Sequence, residues 1–161
     1  MKARIIQPTV KPKIIQFTKE GYERAQADFD RLSEERKEVL IRLQTAREMG
    51  DLSENGAYHA ARFELATIDR QLRRLTHHIQ YGQITETKHT GKIDFGSRVT
   101  LDNNGKETIF TLVNGFESDP KLKKLSVMSP IGSTIMGKKV GDQVVVKAPA
   151  GEMVFKVKKV E

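Results

Sequence analysis

The chain has 161 residues, which is enough for one or two small domains. Its 28 Lys and Arg against 21 Asp and Glu give a net charge of +7, which favours a partner that is acidic or bound to nucleic acid. It contains no cysteine, which excludes disulfides and thiolate metal sites. No stretch approaches about 18 consecutive apolar residues, and the basic N-terminus lacks the apolar segment of a signal peptide. We therefore expect a cytoplasmic protein with no membrane partner.

The N-terminal residues precede the first regular pattern. Residues 1–16 combine prolines with basic side chains and predict a flexible, extended tail. Thr18 is a favourable N-cap, and Phe17 before it can pack on Tyr22 as a hydrophobic staple. The first helix should therefore begin at about Lys19.

Two long segments carry apolar residues in a three-four rhythm, which repeats roughly every 3.5 residues and is typical of helices that pack along their length. The first stripe contains one polar residue, Arg36, and ends at about Met49, because Gly50 can adopt the left-handed conformation that terminates helices. We predict an antiparallel coiled-coil hairpin over residues 17–81, about 40 to 45 Å long at roughly 1.5 Å per residue. The predicted seam residues are Tyr22, Ala25, Phe29, Leu32, Val39, Leu43 and Ala46 on the first helix and Tyr58, Ala61, Leu65, Ile68, Leu72, Leu75 and Ile79 on the second.

The hairpin turns at residues 50–55, which form an acidic tip. Asp51-x-x-Glu54 resembles a capping box, with Ser53 or Asp51 as the N-cap of the second helix. Acidic residues in the first turn of a helix are also favoured by the helix dipole. A carboxylate at this position can nevertheless cap a helix in one state and bind a cation in another. Both interpretations of Asp51 and Glu54 remain open at this point.

Basic side chains flank the tip on both arms. Arg47 and Arg62 lie within a few turns of it, where a solvated face is the default and contact with phosphate is the alternative. The four histidines form no catalytic or zinc pattern. His77 and His78, near the base of the hairpin, should be solvated or partly packed.

The pattern changes to alternation in the second half of the chain. Residues 82–96 predict a linker with at most one short strand. Asn103-Asn104-Gly105 predicts a tight hairpin turn, because Asn-Gly tolerates positive φ. Ser129 and Pro130 can cap and begin a short helix. Residues 97–161 should therefore form a small domain with one helix and about five strands, at 97–101, 107–113, 125–129, 143–147 and 152–160.

Two sets of residues resemble a known family. Gly50-Asp51-Leu52-Ser53-Glu54-Asn55, followed by Tyr58-His59-Ala60-Ala61, resembles the hairpin-tip signature of the bacterial Gre transcript cleavage factors, GreA and GreB. Ser129-Pro130-Ile131 and Pro149-Ala150-Gly151-Glu152 resemble parts of their second domain. The resemblance extends from about Phe17 to Val160. It implies an α+β protein, with an N-terminal antiparallel coiled-coil hairpin and a C-terminal FKBP-like antiparallel sheet with one short helix.

The resemblance also implies a function. In this family the C-terminal domain docks at the rim of the RNA polymerase secondary channel, and the coiled coil enters the channel. The tip then approaches the active site of a backtracked polymerase, whose nascent RNA 3′ end has been extruded. The factor stimulates the polymerase's own cleavage of that RNA and is not itself an enzyme. The implied partners are RNA polymerase and the nascent RNA 3′ end, and we expect the chain to act as a monomer.

The resemblance assigns roles to individual residues. Asp51 and Glu54 would complete the coordination of a Mg²⁺ ion shared with the polymerase active site, while the free protein would hold no tightly bound cofactor. Arg47 and Arg62 would contact RNA phosphates, which would make the effect dependent on salt. Docking on the polymerase would involve the segment that begins at Pro130. Its neighbour Ile131 is assigned to docking too, with an ordinary core position as the alternative.

The tip departs from the family pattern at one position. Many members carry a further acid just before the tyrosine, where this chain has Ala57, preceded by Gly56. One alternative is therefore a Gre-like channel-binding inhibitor or regulator that does not stimulate cleavage, although the retained Asp51 and Glu54 argue against it. A second alternative is a binding module whose tip is merely a capped turn.

A third alternative is a prolyl isomerase, which is suggested by the FKBP-like fold alone. Fold by itself does not give function. Residues 91–161 contain neither Trp nor Tyr, and an aromatic-walled proline pocket is therefore not expected. The aromatic residues of this segment are Phe95, Phe110, Phe116 and Phe155.

Overall fold

The computed structural model describes residues 14–50, 53–87, 90–148 and 151–161. It contains a two-helix hairpin followed by a sheet with one short helix, which confirms the predicted α+β class. None of the described helices combines the length and apolar character that a bilayer span requires. The helices are α1 (Lys19–Glu48), α2 (Gly56–Tyr81) and α3 (Pro130–Ile135), and the strands are β1 (Ile15–Phe17), β2 (Gly82–Ile84), β3 (Arg98–Asn103), β4 (Lys106–Val113), β5 (Lys124–Ser126), β6 (Gln143–Ala148) and β7 (Gly151–Val160).

Helix α1 begins and ends where the sequence predicts. The Thr18 side chain accepts a hydrogen bond from the backbone N–H of Gly21, so Thr18 is the N-cap. The rings of Phe17 and Tyr22 meet edge to face, with their centroids 5.7 Å apart, which confirms the predicted staple. At the other end Gly50 has a φ of 109°, a conformation that residues with a Cβ rarely adopt.

The two long helices pack along an apolar seam. Their buried residues recur every seven positions, so each helix presents one side to its partner. Arg36 Nε donates to Asp69 Oδ1 at 2.7 Å, and Arg42 Nη2 donates to Glu64 Oε1 at 2.8 Å. The contacts descend along α2 as they ascend along α1, which confirms the antiparallel hairpin and explains how Arg36 is tolerated in the stripe. The buried seam residues are Ala25, Leu32, Val39 and Ala46 on α1 and Ala61, Ile68 and Leu75 on α2.

A short parallel pair of strands ties the two arms together at the base of the hairpin. β1 pairs with β2, with Ile15 opposite Gly82 and Phe17 opposite Ile84. The sequence predicts Ile15 as part of the flexible tail, and it predicts a linker over residues 82–96, where β2 lies. Three residues are too few for alternation to be visible, and these segments pair because the antiparallel helices bring their ends together. Residues 1–13 of the predicted tail lie outside the described part of the chain.

An aromatic cluster joins the hairpin to the C-terminal part. The fully buried ring of Phe17 lies against Phe116, with centroids 6.1 Å apart, and His78 lies 4.9 Å from Phe116. Burial lowers the pKa of the His78 imidazole, and the positive charges of Arg74 and His77 act in the same direction. His78 is therefore partly packed at the junction, which is one of the two environments predicted for it, solvated or partly packed.

The C-terminal sheet has the strand order β5-β4-β3-β7-β6. Asn104 and Gly105 have φ values of 52° and 88°, which confirms the predicted two-residue turn between β3 and β4. The predicted antiparallel sheet is confirmed for β4, β3, β7 and β6, whereas β5 at one edge runs parallel to β4. The connection between them, residues 114–123, carries Phe116 to the base of the hairpin before the chain returns to the sheet.

One face of this sheet forms the second core, which α3 covers by packing against β5 and β6. The Ser129 side chain accepts from the N–H of Gly132, so α3 is capped as predicted and has Pro130 at its first position. A Cβ on Gly132 would lie 2.0 Å from the carbonyl oxygen of Ser126, and glycine is therefore required for this close approach. The main buried residues are Ile93, Val99, Leu101, Leu112, Ile135, Val144, Val146, Phe155 and Val157.

The seam should carry most of the stability of the hairpin. Ile68 is 3% exposed and Ile41 is 66% exposed on the same two-helix unit, so the same substitution can be compared at both sites. We expect Ile68→Ala to lower the free energy of unfolding by about 2 to 4 kcal/mol, because it leaves a cavity in the seam. Ile41→Ala should change it by about 0.5 kcal/mol or less. Urea denaturation followed by helical circular dichroism measures both values, and equal losses would contradict a seam-dominated hairpin.

Candidate functional site

The Asn55 side chain contacts both helices at the tip of the hairpin. Its Oδ1 accepts from the backbone N–H of Tyr58 at 3.0 Å, which caps the first turn of α2. Its Nδ2 donates to the backbone carbonyl of Ala46 at 2.7 Å, in the last turn of α1. Asn55 Oδ1 pairs one of the N–H groups that a helix start leaves without an intrahelical partner. Its Nδ2 is a second donor to the Ala46 carbonyl, which also accepts from the Met49 N–H at 3.3 Å. Asn55 therefore fixes the end of one helix to the start of the other.

This capping corrects the predicted start of the second helix. Ser53 or Asp51 was expected as the N-cap, but α2 begins at Gly56 and is capped by Asn55. Glu54 lies in the turn before the cap and not in the first turn of the helix, so its predicted part in a capping box is wrong. The amide side chain is preferred here because it can donate as well as accept. Asn is among the most favoured N-cap residues, and that preference was the signal available in the sequence.

Of the two acidic residues of the predicted site, Glu54 lies within the described part of the chain. The Glu54 side chain is exposed, directly before the cap of α2. It therefore lies next to a capping residue that contacts both helices, and it is accessible to solvent. Asp51 lies outside the described residues.

A second polar contact organises the turn. Nε2 of His59 donates to the backbone carbonyl of Ser53 at 3.2 Å, and the His59 ring lies edge to face against Tyr58 with centroids 5.5 Å apart. The imidazole thus connects the first turn of α2 to the residue before Glu54. In the sequence His59 belongs to the tip motif, and no local pattern indicates this contact. Its position four residues after the cap, on the side facing the turn, becomes visible only in three dimensions.

The basic residues of the predicted site are exposed near the tip on opposite arms. Arg47 lies in the last turn of α1, where a positive charge interacts favourably with the C-terminal end of the helix dipole. Arg62 lies in the second turn of α2. Both guanidinium groups are therefore accessible to an anionic partner, and neither is needed in the seam.

The position that departs from the family pattern faces an apolar surface. Ala57 lines a groove between the arms together with Ile41, Met49 and Ala60. The Arg42–Glu64 ion pair borders the same groove. A carboxylate in place of Ala57 would therefore lie beside apolar side chains. Because this chain has alanine there, Asp51 and Glu54 are the acidic residues of the tip sequence 50–57.

The predicted docking residues are in contrasting environments. Pro130, the first residue of α3, is exposed. Ile131 is partly buried and packs against the core of the C-terminal sheet. Met128, two residues before Pro130, is 76% exposed and was not singled out from the sequence. An accessible apolar surface at this corner is therefore formed by Met128 and Pro130 more than by Ile131.

The aromatic residues of the C-terminal part are in its interior and at the junction. Phe95 and Phe155 are buried, Phe110 packs against the same core, and Phe116 packs against the hairpin. None of the pockets described is walled by several of these rings. This arrangement counts against the prolyl isomerase interpretation.

The tip offers few ligands for a metal ion. Within the described ranges, which omit Asp51, no group of three or more His, Asp or Glu side chains could hold one. The Glu54 carboxylate is the kind of hard oxygen ligand that Mg²⁺ prefers, and it is accessible.

Comparisons with known proteins agree with this architecture. The family description "Transcription elongation factor, N-terminal" matches residues 15–84, and "Transcription elongation factor, GreA/GreB, C-term" matches residues 87–161. Transcription elongation factor GreA of a Nitratiruptor species is 39% identical over 145 residues, covering 88% of this chain and 89% of that protein. GreA of Thermosipho africanus is 36% identical over 151 residues, covering 92% and 97%.

A long two-helix hairpin joined to a small sheet domain is the architecture of a class of transcription elongation factors, and both parts of this chain match that class. The two family matches together cover nearly all of the chain, with the elements in the same order. The chain belongs to the GreA/GreB family of transcription elongation factors. Among solved structures, the transcription factor Gfh1 is 27% identical, over 94% of this chain and 99% of that one, with a TM-score of 0.47.

The two roles of Asn55 can be separated by substitution. Asn55→Asp keeps an acceptor for the Tyr58 N–H but loses the donor to the Ala46 carbonyl, whereas Asn55→Ala loses both. We expect Asn55→Ala to cost about 1 kcal/mol or more of unfolding free energy, with Asn55→Asp intermediate. Denaturation curves measure the cost, and amide exchange at Tyr58 should accelerate only in Asn55→Ala. Equal exchange in both variants would contradict the separate roles.

Proposed function

We propose that this chain enters the secondary channel of RNA polymerase and stimulates the polymerase's intrinsic cleavage of backtracked nascent RNA. The observation that carries the proposal is an exposed carboxylate, Glu54, held at the end of a two-helix rod by the double cap of Asn55. The rod is about 40 to 45 Å long at roughly 1.5 Å per residue, so its tip can reach a site far from the docking domain. Family membership supports the same conclusion.

The chemistry requires little of the factor beyond carboxylates in the right place. Mg²⁺ ions of the polymerase supply activation of the attacking water and stabilisation of the leaving oxygen. Asp51 and Glu54 would add ligands to the more weakly held ion and orient the water. Two carboxylates are too few for tight Mg²⁺ binding, so the proposal includes neither a resident cofactor nor independent catalysis.

Other surfaces would hold the factor in place. Arg47 and Arg62, exposed on opposite arms, are proposed to contact phosphates of the extruded RNA 3′ segment. The exposed corner at Met128 and Pro130 is proposed to contact the polymerase at the channel rim. We expect the chain to act as a monomer, because one hairpin enters the channel. Its proposed partner, RNA polymerase, implies a cytoplasmic location.

The tip acids should be required for activity and not for binding. We expect Asp51→Ala/Glu54→Ala to lower the maximal rate of stimulated cleavage about 100-fold or more, which corresponds to roughly 3 kcal/mol of lost transition-state stabilisation. The measurement uses a stalled, backtracked polymerase complex with labelled RNA, Mg²⁺ and saturating factor. Glu48→Ala is the matched control, because it removes an exposed carboxylate from the last turn of α1 near the same tip.

Binding must be measured alongside cleavage. Competition between wild type and the double variant for the same complex should show affinities within about threefold, a difference of less than about 1 kcal/mol. If wild type binds and suppresses elongation without cleavage, the chain is the channel-binding inhibitor and the proposed function is wrong. If the purified factor cleaves RNA without polymerase after nuclease removal, the shared-ion chemistry is wrong.

The arginines should act through charge and not through the reacting groups. We expect Arg47→Ala/Arg62→Ala to weaken binding to the backtracked complex and to reduce the slope of log affinity against log salt by about one to two. The maximal cleavage rate should stay within about twofold of wild type, since no reacting group is removed. Arg24→Ala/Arg31→Ala, exposed near the base of α1, is the matched control. An unchanged salt slope would show that Arg47 and Arg62 are only solvated.

A further inference from the structure

A buried carboxylate from the C-terminal part lies at the start of the rod. Glu117 lies in the connection between β4 and β5 and is 6% exposed. Its Oε1 accepts from the backbone N–H of Thr18 at 3.1 Å, and its Oε2 accepts from the Thr18 hydroxyl. Thr18 is the N-cap of α1. The carboxylate therefore binds the first turn of the helix that leads to the tip.

Glu117 is itself held by a second side chain, that of Asn114. Asn114 Nδ2 donates to Glu117 Oε1 at 2.9 Å and to the backbone carbonyl of Gln16 at 2.6 Å. Asn114 Oδ1 accepts from the backbone N–H groups of Phe116 and Glu117 at 2.8 and 2.9 Å. This network is polar, buried and satisfied, and such networks specify one arrangement of the groups that they join.

The sequence of α1 is adapted to this contact. A Cβ on Gly21 would lie 2.0 Å from Glu117 Oε2, and its three nearest atoms all belong to the Glu117 side chain. Gly21 is a helical residue without a positive φ, so its own backbone does not require glycine. Glycine lowers helix stability relative to alanine. The helix accepts that loss where the glycine makes room for the carboxylate.

Capping alone does not account for Glu117. The Thr18 side chain already accepts from the Gly21 N–H and serves as the N-cap within the hairpin. The contacts from Glu117 are added by residues about a hundred positions later in the chain. What they provide is a fixed connection between α1 and the C-terminal part. Around this polar centre, Phe17 packs on Phe116, and Lys124 pairs with Glu20 at 3.1 Å.

We propose that Glu117 and Gly21 form a positioning clamp that sets the direction of the rod relative to the docking domain. The inference rests on the proposed function, because it assigns the clamp to placement of the tip in the polymerase active site. α1 has 30 residues, or about 45 Å at roughly 1.5 Å per residue, so a tilt of about 5° at its base moves the tip by about 4 Å. Reacting groups lose on the order of 100-fold in rate when misplaced by about 1 Å.

The clamp predicts a kinetic signature that ordinary loss of stability does not give. In the backtracked-complex assay, Glu117→Ala and Gly21→Ala should each lower the maximal cleavage rate by roughly tenfold to a hundredfold. The factor concentration at half-saturation should change by no more than about threefold, because the docking surface is intact. Glu117→Gln keeps an acceptor for the Thr18 N–H and should recover most of the rate. Glu107→Ala, which removes an exposed carboxylate from β4, is the matched control.

The two clamp residues should also be coupled. A Cβ at position 21 would clash with three atoms of the Glu117 side chain, and Glu117→Ala removes all three of these atoms. In that background Gly21→Ala therefore causes no clash with them and removes no contact. It should therefore be neutral or stabilising there, while it is destabilising in wild type. Thermal denaturation of wild type, the two single variants and the double variant measures the stability of each protein and completes a double-mutant cycle. Additive losses would show that Gly21 is not a partner of Glu117.

A direct measurement of rod direction keeps the clamp separate from the proposed function. The chain contains no cysteine, so Glu48→Cys near the tip and Lys106→Cys in the sheet can be labelled with a dye pair without background. We expect the energy-transfer distribution of the free protein to broaden or shift in Glu117→Ala and Gly21→Ala, and to be unchanged in Glu107→Ala. An unchanged distribution in both clamp variants overturns the clamp. If wild type fails to stimulate cleavage, the proposed function fails, and the energy-transfer result alone decides the clamp.

Discussion

The antiparallel apolar seam between α1 and α2 is the interaction on which the rest of the structure depends. Each arm buries one residue in seven fully, so the seam is narrow and its ends are exposed to fraying. The chain closes both ends with polar contacts. At the tip Asn55 joins the two helix termini, and at the base β1 pairs with β2 around the buried ring of Phe17. A long rod is stable here because hydrogen bonding supports its ends and burial supports its middle.

The same closures decide what the ends can do. Because Asn55 caps α2, Glu54 is left outside the helix as an exposed acid on a fixed turn. A carboxylate that served as the cap would have its lone pairs occupied by backbone N–H groups. At the base, Phe116 and Glu117 contact the start of α1 and attach the C-terminal part to it. Capping thus leaves an exposed acid at the tip of the rod and gives its base a connection to the C-terminal part.

The division of labour between the parts follows from their surfaces. Over the residues that the structure describes, the hairpin offers accessible charge near its tip, and no group of three or more His, Asp or Glu side chains could hold a metal ion there. The C-terminal sheet keeps most of its aromatic residues in its core and presents Met128 and Pro130 at one corner. The two parts therefore present different surfaces, with accessible charge near the tip of the hairpin and apolar side chains at one corner of the sheet.

The sequence by itself determined the elements whose signals are local or periodic. The seam, the Thr18 cap, the Asn104-Gly105 turn and the start of α3 follow from residue spacing and backbone preference, and all are confirmed. Only the tertiary structure decided the contacts between segments distant in the chain. Asn55 as a double cap, the β1-β2 pair, the parallel β5 and the Glu117 contact with Thr18 each depend on which termini folding brings together. Local preference carries no information about such partners, because the partner exists at that place only after the helices and the sheet have packed.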